Sequence, residues 1–135
     1  MSLDNELSVI EEVVDRCEKM LADGTISVDG IVRKIRGITD PNAMIAKGGE
    51  VVGMLLGLSR NINILRLKEL KHEHPNNSRI DQLGRRAAQC YLTLNNIGLD
   101  VSEELMSPDV KPGAQVQNQK IRDAYNLLVS DLVST

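Results

Sequence analysis

The sequence predicts an all-α fold, a helical bundle of about five helices, from three observations. Apolar residues recur at alternating spacings of three and four along most of the chain, which is the period of an amphipathic helix. Capping residues such as Ser2, Ser27, Asp40 and Ser78 precede these stretches. Hydrophobic residues make up 41% of the chain, but Phe and Trp are absent, so the core must be aliphatic. A chain of 135 residues can bury such a core as one domain, over residues 1–135, without metal or disulfide support.

The first helix is predicted from about Leu3 to Ala22. Its apolar positions form a heptad seam that contains Leu3, Leu7, Ile10, Val14, Cys17 and Leu21. Such a seam can pack inside the domain or pair with a second chain, and the sequence leaves both interpretations open. Cys17 and the later Cys90 both fall on apolar helix positions, which favours buried, reduced thiols in a cytoplasmic protein.

A short second helix is predicted between Ser27 and Gly37. Its polar side is basic and carries Arg33, Lys34 and Arg36. Together with the glycine turn and the next helix, it has the outline of a helix-turn-helix DNA-binding motif. We favour an ordinary helix corner, because any two helices joined by a glycine share this outline. The next helix also offers only Asn42 and Lys47 as polar contacts near its start.

A long central helix is predicted over residues 41–72, and the bundle is expected to be built on it. Asp40 can cap its first turn, and Pro41 suits the first helical position because its missing N–H costs nothing there. Pro75 stops the helix beyond its basic end. The apolar stripe of this helix consists of Met44, Val51, Leu55, Leu58, Ile62 and Leu65.

Small residues line a second face of this central helix. They are Ala46, Gly49, Gly53 and Gly57, which lie three or four residues apart. Each glycine inside a helix costs roughly 1 kcal/mol relative to alanine, so another interaction must compensate. We predict an oligomer contact here, because small residues let a second helix approach closely. The alternative, given equal weight, is a kink or break at Gly48–Gly49.

The central helix is predicted to form an antiparallel αα-hairpin with a helix over residues 79–97. A turn rich in helix-breaking residues, from 74 to 78, separates the two. A short linker is expected near 99–115, because Ser107–Gly113 contains two prolines and a glycine. A C-terminal helix over about 116–133 can close the domain or dock on a neighbouring chain.

Charge is unevenly distributed along the chain, although the formal net charge is only −3. Residues 1–24 hold seven acids and two bases, 25–90 hold six acids and eleven bases, and 91–135 hold six acids and three bases. The basic middle can bind an anionic partner or pair with the acidic ends. The residues singled out as nucleic-acid contacts are Arg33, Lys34, Arg36, Arg85 and Arg86. Contact with the duplex backbone is the expected mode, because the two tyrosines lie on apolar stripes and leave no aromatic platform for single strands.

The sequence contains no arrangement of residues typical of catalysis. His72 and His74 are two residues apart, so on a helix they point about 200° apart and cannot share one metal ion. We therefore expect no enzyme activity, no metal, no cofactor and no small-molecule substrate. The acidic N-terminus is not a signal peptide, and the longest apolar segment is too short to span a membrane. We expect a protein of the cytoplasm, or of the host cytoplasm if it is viral.

Glu50–Val52, Asn61 and Leu65–Lys71 resemble the central hairpin of the small terminase subunits of tailed phages. Those subunits are helical, ring-forming proteins that bind DNA for packaging. The resemblance lies within residues 50–71, and the helices after Pro75 have no counterpart in it. It implies an oligomeric, phage-derived protein associated with duplex DNA.

The sequence as a whole predicts a non-catalytic protein that acts by self-association and protein–protein interaction, as an adaptor, a scaffold or a regulator. A homo-oligomer, a protein partner and no membrane contact belong to this hypothesis. The alternative is an oligomeric duplex-DNA-binding protein of the small-terminase type.

Overall fold

Six α-helices account for nearly all of the described chain. The computed structural model describes residues 2–133. The helices are α1 (Leu3–Ala22), α2 (Val28–Arg36), α3 (Pro41–Ile62), α4 (Ile64–Glu73), α5 (Ser78–Leu105) and α6 (Lys111–Val133). No strand occurs among these residues. The predicted all-α helical bundle is confirmed, with six helices in place of about five.

The first three helices begin where their capping residues predict. Ser2, Ser27 and Asp40 each accept a hydrogen bond from a backbone N–H of the first turn, at 3.2, 3.1 and 3.1 Å respectively. Pro41 occupies the first turn of α3, where its missing N–H leaves no partner unsatisfied. α5 starts one residue earlier than expected, because Asn77 and not Ser78 is its N-cap.

α5 is the central element of the bundle, since it packs against each of the other five helices. Its buried residues are aliphatic or small and include Ile80, Leu83, Gly84, Ala87, Ala88, Cys90, Leu94 and Val101. A Cβ atom at Gly84 would lie 3.1 Å from Cδ2 of Leu132, so the absence of a side chain at Gly84 lets α6 approach α5 closely. Residues 41–72 also contact all the other helices, but they do so as two helices, α3 and α4, and not as the single central helix that was predicted.

The predicted central helix over residues 41–72 is divided at Asn63 into α3 and α4. Asn63 has φ 57° and ψ 58°, a left-handed conformation that asparagine tolerates better than most residues. Ile62 and Ile64 on either side are both buried. On one continuous helix they would point about 200° apart, whereas the left-handed residue between them lets both face the core. The other predicted break, at Gly48–Gly49, does not occur, because α3 runs through it.

The C-terminal part of the chain is more helical than predicted. α5 packs on α4 as an αα-hairpin, but it continues to Leu105, well beyond the predicted end at 97. Val101, which lies beyond Gly98 on the same helix, is buried in the core, and packing of this kind outweighs the low helix propensity of one glycine. The linker predicted near 99–115 is reduced to residues 106–110.

The heptad seam of α1 packs inside the same chain, against α3 and α5. Its buried residues are Leu7, Ile10, Val14 and Cys17.

Cys17 and Cys90 are both buried and free, as predicted, and burial raises the pKa of Cys90 to about 11. Tyr91 and Tyr125 pack edge to face between α5 and α6, with ring centroids 5.7 Å apart. Within residues 2–133, no helix combines the length and apolar character needed to cross a membrane.

Substitution of Asn63 tests the left-handed joint. We expect Asn63→Ala to lower the free energy of unfolding by about 1 kcal/mol, because alanine is strained at positive φ and lacks the local hydrogen bonding of asparagine. Asn63→Gly is the matched control and should be neutral or stabilising, because glycine adopts this conformation freely. Urea unfolding followed by circular dichroism measures both variants. Equal stability of the two variants would mean that α3 and α4 can join without a left-handed residue.

Candidate functional site

α3 carries an apolar surface that the described chain leaves uncovered. The buried side of this helix is formed by Val51, Leu55, Ser59 and Ile62. A neighbouring sector of the same helix, here called the open face of α3, consists of Ile45, Ala46, Gly49, Val52, Gly53, Leu56 and Gly57. Its largest side chains are strongly exposed: Ile45 by 75%, Val52 by 52% and Leu56 by 52%. No charged residue interrupts this face.

The glycines of the open face lie in free space. A Cβ atom added at Gly49, Gly53 or Gly57 would meet no atom of the described residues within 4 Å, and the same is true of Gly48. No helix among the described residues therefore packs against the predicted contact, and α3 is not broken there. Contacts within residues 2–133 do not offset the roughly 3–4 kcal/mol that four helical glycines cost.

The first half of α3 has little support from the rest of the bundle. Residues 41–46 are all exposed, and none of residues 41–50 is buried. An isolated helix of this length is marginally stable in water, because its nucleation is costly and most helical stability in proteins comes from packing. Two adjacent glycines, Gly48 and Gly49, lower its intrinsic propensity further. This part of the helix is a segment that gains stability when something covers it.

An apolar groove between α3 and α5 adjoins the open face. It consists of two neighbouring cavities of about 270 and 260 Å³ whose walls share Val52, Leu55, Gly98 and Ser102. Leu56 lines one cavity, and the partly exposed Leu105 and Met106 line the far end of the other. Val52 and Leu56 belong to both features, so the groove and the open face form one continuous apolar surface.

The sequence identified only the small-residue part of this surface. It singled out Ala46, Gly49, Gly53 and Gly57 as the oligomer contact, and these residues lie together on one side of α3. It did not identify Ile45, Val52 and Leu56, which flank the glycines with large apolar side chains. Their spacings of seven and four residues were the available signal, because they mark a second apolar stripe beside the one that faces the core.

Arg86 on α5 is bound by three acidic residues of α1. Its guanidinium lies 3.6 Å from Glu11, 2.5 Å from Asp15 and 2.6 Å from Glu18. Hydrogen bonds to Glu18 and Asp15 raise the pKa of Arg86 above its ordinary value. A guanidinium with several carboxylate partners makes strong, charge-assisted hydrogen bonds. Arg86 thus fastens α1 to α5.

Other arginines of the basic middle also bind the acidic N-terminal helix. Arg66 Nε donates to Glu6 at 2.5 Å, and this hydrogen bond holds the pKa of Glu6 below its ordinary value. Arg79 lies 3.3 Å from Asp4. Of the two interpretations of the charge pattern, pairing of the basic middle with an acidic end is the one found within the chain.

The predicted nucleic-acid contacts fall into two groups. Arg36 Nη2 donates to the backbone oxygen of Glu104 at 2.5 Å, and Arg86 is held by α1. Arg33, Lys34 and Arg85 are exposed, and their side chains have no hydrogen-bond or ion-pair partner among residues 2–133. These three cations, carried by α2 and α5, are the members of the set that remain available to a phosphate.

One of the two histidines near the end of α4, His72, lies beside a carboxylate of α6. His72 Nε2 is 3.5 Å from Asp131 Oδ2, Glu73 lies 3.5 Å from Arg66, and His74 ends the helix. Nowhere in the described range do three or more potential ligands gather in a way that could hold a metal ion.

Models of protein families, curated proteins and solved structures were all compared with the chain, and none of them matches it. The features of the chain that bear on its function are the apolar surface of α3 and the charge pairing.

Comparison of Arg86 with its neighbour Arg85 separates the effect of the bonds of Arg86 from the effect of net charge. We expect Arg86→Gln to lower the free energy of unfolding by about 1–2 kcal/mol, because it removes bonds to several carboxylates that tie two helices. Arg85→Gln changes the same net charge at an exposed site and should stay within about 0.5 kcal/mol of the parent protein. Urea unfolding at low salt measures both. Equal losses would show that the bonds of Arg86 to α1 add nothing to stability beyond the change in net charge.

Proposed function

We propose that this chain is a non-catalytic helical protein that self-associates through the open face of α3. In its assembled form it presents helix surfaces to a protein partner, as an adaptor, a scaffold or a regulator. The observation that supports this proposal is the combination of open space at Gly49, Gly53 and Gly57 with exposed large apolar side chains beside them. A monomer would leave both the glycine cost and the apolar exposure uncompensated.

The character of the surface favours a protein contact over a small-molecule site. The groove between α3 and α5 is shallow and apolar, and it merges with a helix face instead of enclosing a cavity with convergent polar groups. Contiguous apolar surface of this kind, rimmed by polar residues, is typical of protein–protein interaction sites. Lys47 and Glu50, which flank the open face, already pair with each other at 3.3 Å.

A second exposed surface is a candidate for the protein partner. Val116 and Leu127 on α6 are 62% and 74% exposed, and Gly113, Ile121 and Ala124 lie between or beside them at helical spacing. Among the described residues, the main contacts of α6 are with α4 and α5. Because α3 and α6 are separate elements, assembly through α3 leaves the surface of α6 free to bind.

Duplex-DNA binding is the weaker alternative. Arg36 and Arg86 are engaged with the protein's own oxygen atoms, and the cations left over are Arg33, Lys34 and Arg85 in the predicted set. Affinity for duplex DNA grows with the number of phosphates that cations neutralise. These three cations of the predicted set, on a chain of net negative charge, make a weak footprint.

The self-association hypothesis predicts the behaviour of a glycine variant. Light scattering on a sizing column should find the parent protein as a dimer or larger at micromolar concentration. Gly53→Leu should shift it toward the monomer by roughly tenfold or more in dissociation constant, because the side chain fills the contact. The fold should survive, since nothing described lies within 4 Å of a Cβ at this position.

Gly113→Leu is the matched control for that experiment. Gly113 is also an exposed helical glycine whose Cβ would meet nothing within 4 Å among the described residues, but it lies on α6. The Gly113→Leu variant should leave the assembly state unchanged. A monomeric parent protein, or a Gly53→Leu variant that assembles like the parent, would contradict the proposal.

Binding to duplex DNA separates the two candidate functions. Binding through phosphate contacts weakens steeply between roughly 50 and 200 mM salt. We expect fluorescence anisotropy with a labelled duplex to show no binding of this kind. The double variant Arg33→Glu with Lys34→Glu removes two of the available cations. Tight binding by the parent protein that this variant loses, with the assembly state unchanged, would favour the DNA-binding alternative.

A further inference from the structure

Given the proposed self-association, on which this inference rests, we propose that the occupant of the open face is α3 of a second copy. The two helices run antiparallel and cross at Gly53. Each helix lays its exposed Val52 and Leu56 beside the partner helix, next to the groove between α3 and α5. The contact is isologous, which means that the same patch is used by both chains.

The charges at the two ends of the face determine the direction. Glu50 flanks the first half of α3, where it pairs with Lys47 at 3.3 Å and keeps its side chain 70% exposed. The exposed Arg60 ends the face, and its side chain has no ion-pair partner among residues 2–133. A parallel pair would set Arg60 against Arg60. An antiparallel pair crossing at Gly53 brings Arg60 of one chain within about one helical turn, roughly 6 Å along the axis, of Glu50 of the second copy. Opposite charges then meet at both ends of an uncharged centre.

The positions of the glycines agree with this register. Gly49 and Gly57 lie four residues before and after Gly53, so a two-fold axis at Gly53 sets Gly49 of each chain opposite Gly57 of the other. Small residues therefore meet small residues, and the backbones can approach closely. A Cβ atom at any of the three positions would meet nothing within 4 Å in the described chain, so the approach is sterically open.

The antiparallel dipoles add a smaller contribution. The N-terminal end of each α3 lies beside the C-terminal half of the other, which places the partial charges of opposite sign side by side. The pairing also covers the poorly supported first half of α3, where none of residues 41–50 is buried. One contact thus compensates for both the exposed apolar side chains and the glycine cost.

Disulfide trapping with introduced cysteines tests the register. Gly53→Cys should form a covalent dimer on mild oxidation, because the crossing point places the two Cα atoms within disulfide reach of one another. Ala46→Cys alone should not form a covalent dimer. Each Ala46 lies seven residues from the two-fold axis, so the two thiols are about 21 Å apart. Ala46→Cys mixed with Arg60→Cys should cross-link, since the register sets these positions opposite each other. Non-reducing gel electrophoresis measures the fraction of covalent dimer in all three cases.

The native thiols and the parent assembly provide the controls. Cys17 and Cys90 are buried, and the raised pKa of Cys90 keeps it protonated, so the introduced thiol is the reactive one. Cross-linking of Ala46→Cys alone would show a parallel pair and overturn the inference while self-association stands. A dimer on the sizing column in which no arm cross-links would place the contact on another surface and overturn it as well. A parent protein that stays monomeric would overturn both the inference and the proposed function.

Discussion

The packing of five helices around α5 is the constraint on which the rest of the structure depends. Such a crowded helix needs small or slender side chains on several sides, and α5 supplies them at Gly84, Ala87 and Ala88. The approach of Leu132 to within 3.1 Å of the place where Gly84 would carry a Cβ shows how little room remains. A chain without Phe or Trp suits this architecture, because slender aliphatic side chains can fill narrow gaps between many helices. Two arginines of α5, Arg79 and above all Arg86, then fasten α1 by charge.

Local signals in the sequence predicted the local structure well. Side-chain caps at Ser2, Ser27 and Asp40 and the apolar seam of α1 depend on near neighbours, so the sequence alone determines them. The joint at Asn63 could not be predicted, because a single asparagine without an adjacent proline or glycine is a weak signal. Its cause is tertiary, since both flanking isoleucines enter the core. The continuation of α5 through Gly98 has the same kind of origin, because Val101 beyond it is buried in the core.

The candidate site was predictable only in part for the same reason. The spacing of Gly49, Gly53 and Gly57 indicated a contact, but periodicity cannot tell which of two apolar sectors faces the core. That choice is made by α5, which covers Leu55 and leaves Val52 and Leu56 exposed. The charge pattern left two interpretations open, and only the three-dimensional arrangement brings Arg86 to Asp15 and Glu18. Sequence separation hides these pairs, because nothing local connects them.

The arginine bonds between α1 and the later helices also have a bearing on the order of folding. They join residues 60 to 75 positions apart, whereas α4, α5 and α6 meet through short turns. Contacts between distant residues must overcome a larger loop-closure entropy, so the α4–α5–α6 unit is expected to form before α1 docks. During synthesis at about 5–20 residues per second, α1 would wait several seconds for its partners to emerge. For that time its apolar seam is exposed, which makes the nascent N-terminal helix a natural substrate for chaperones.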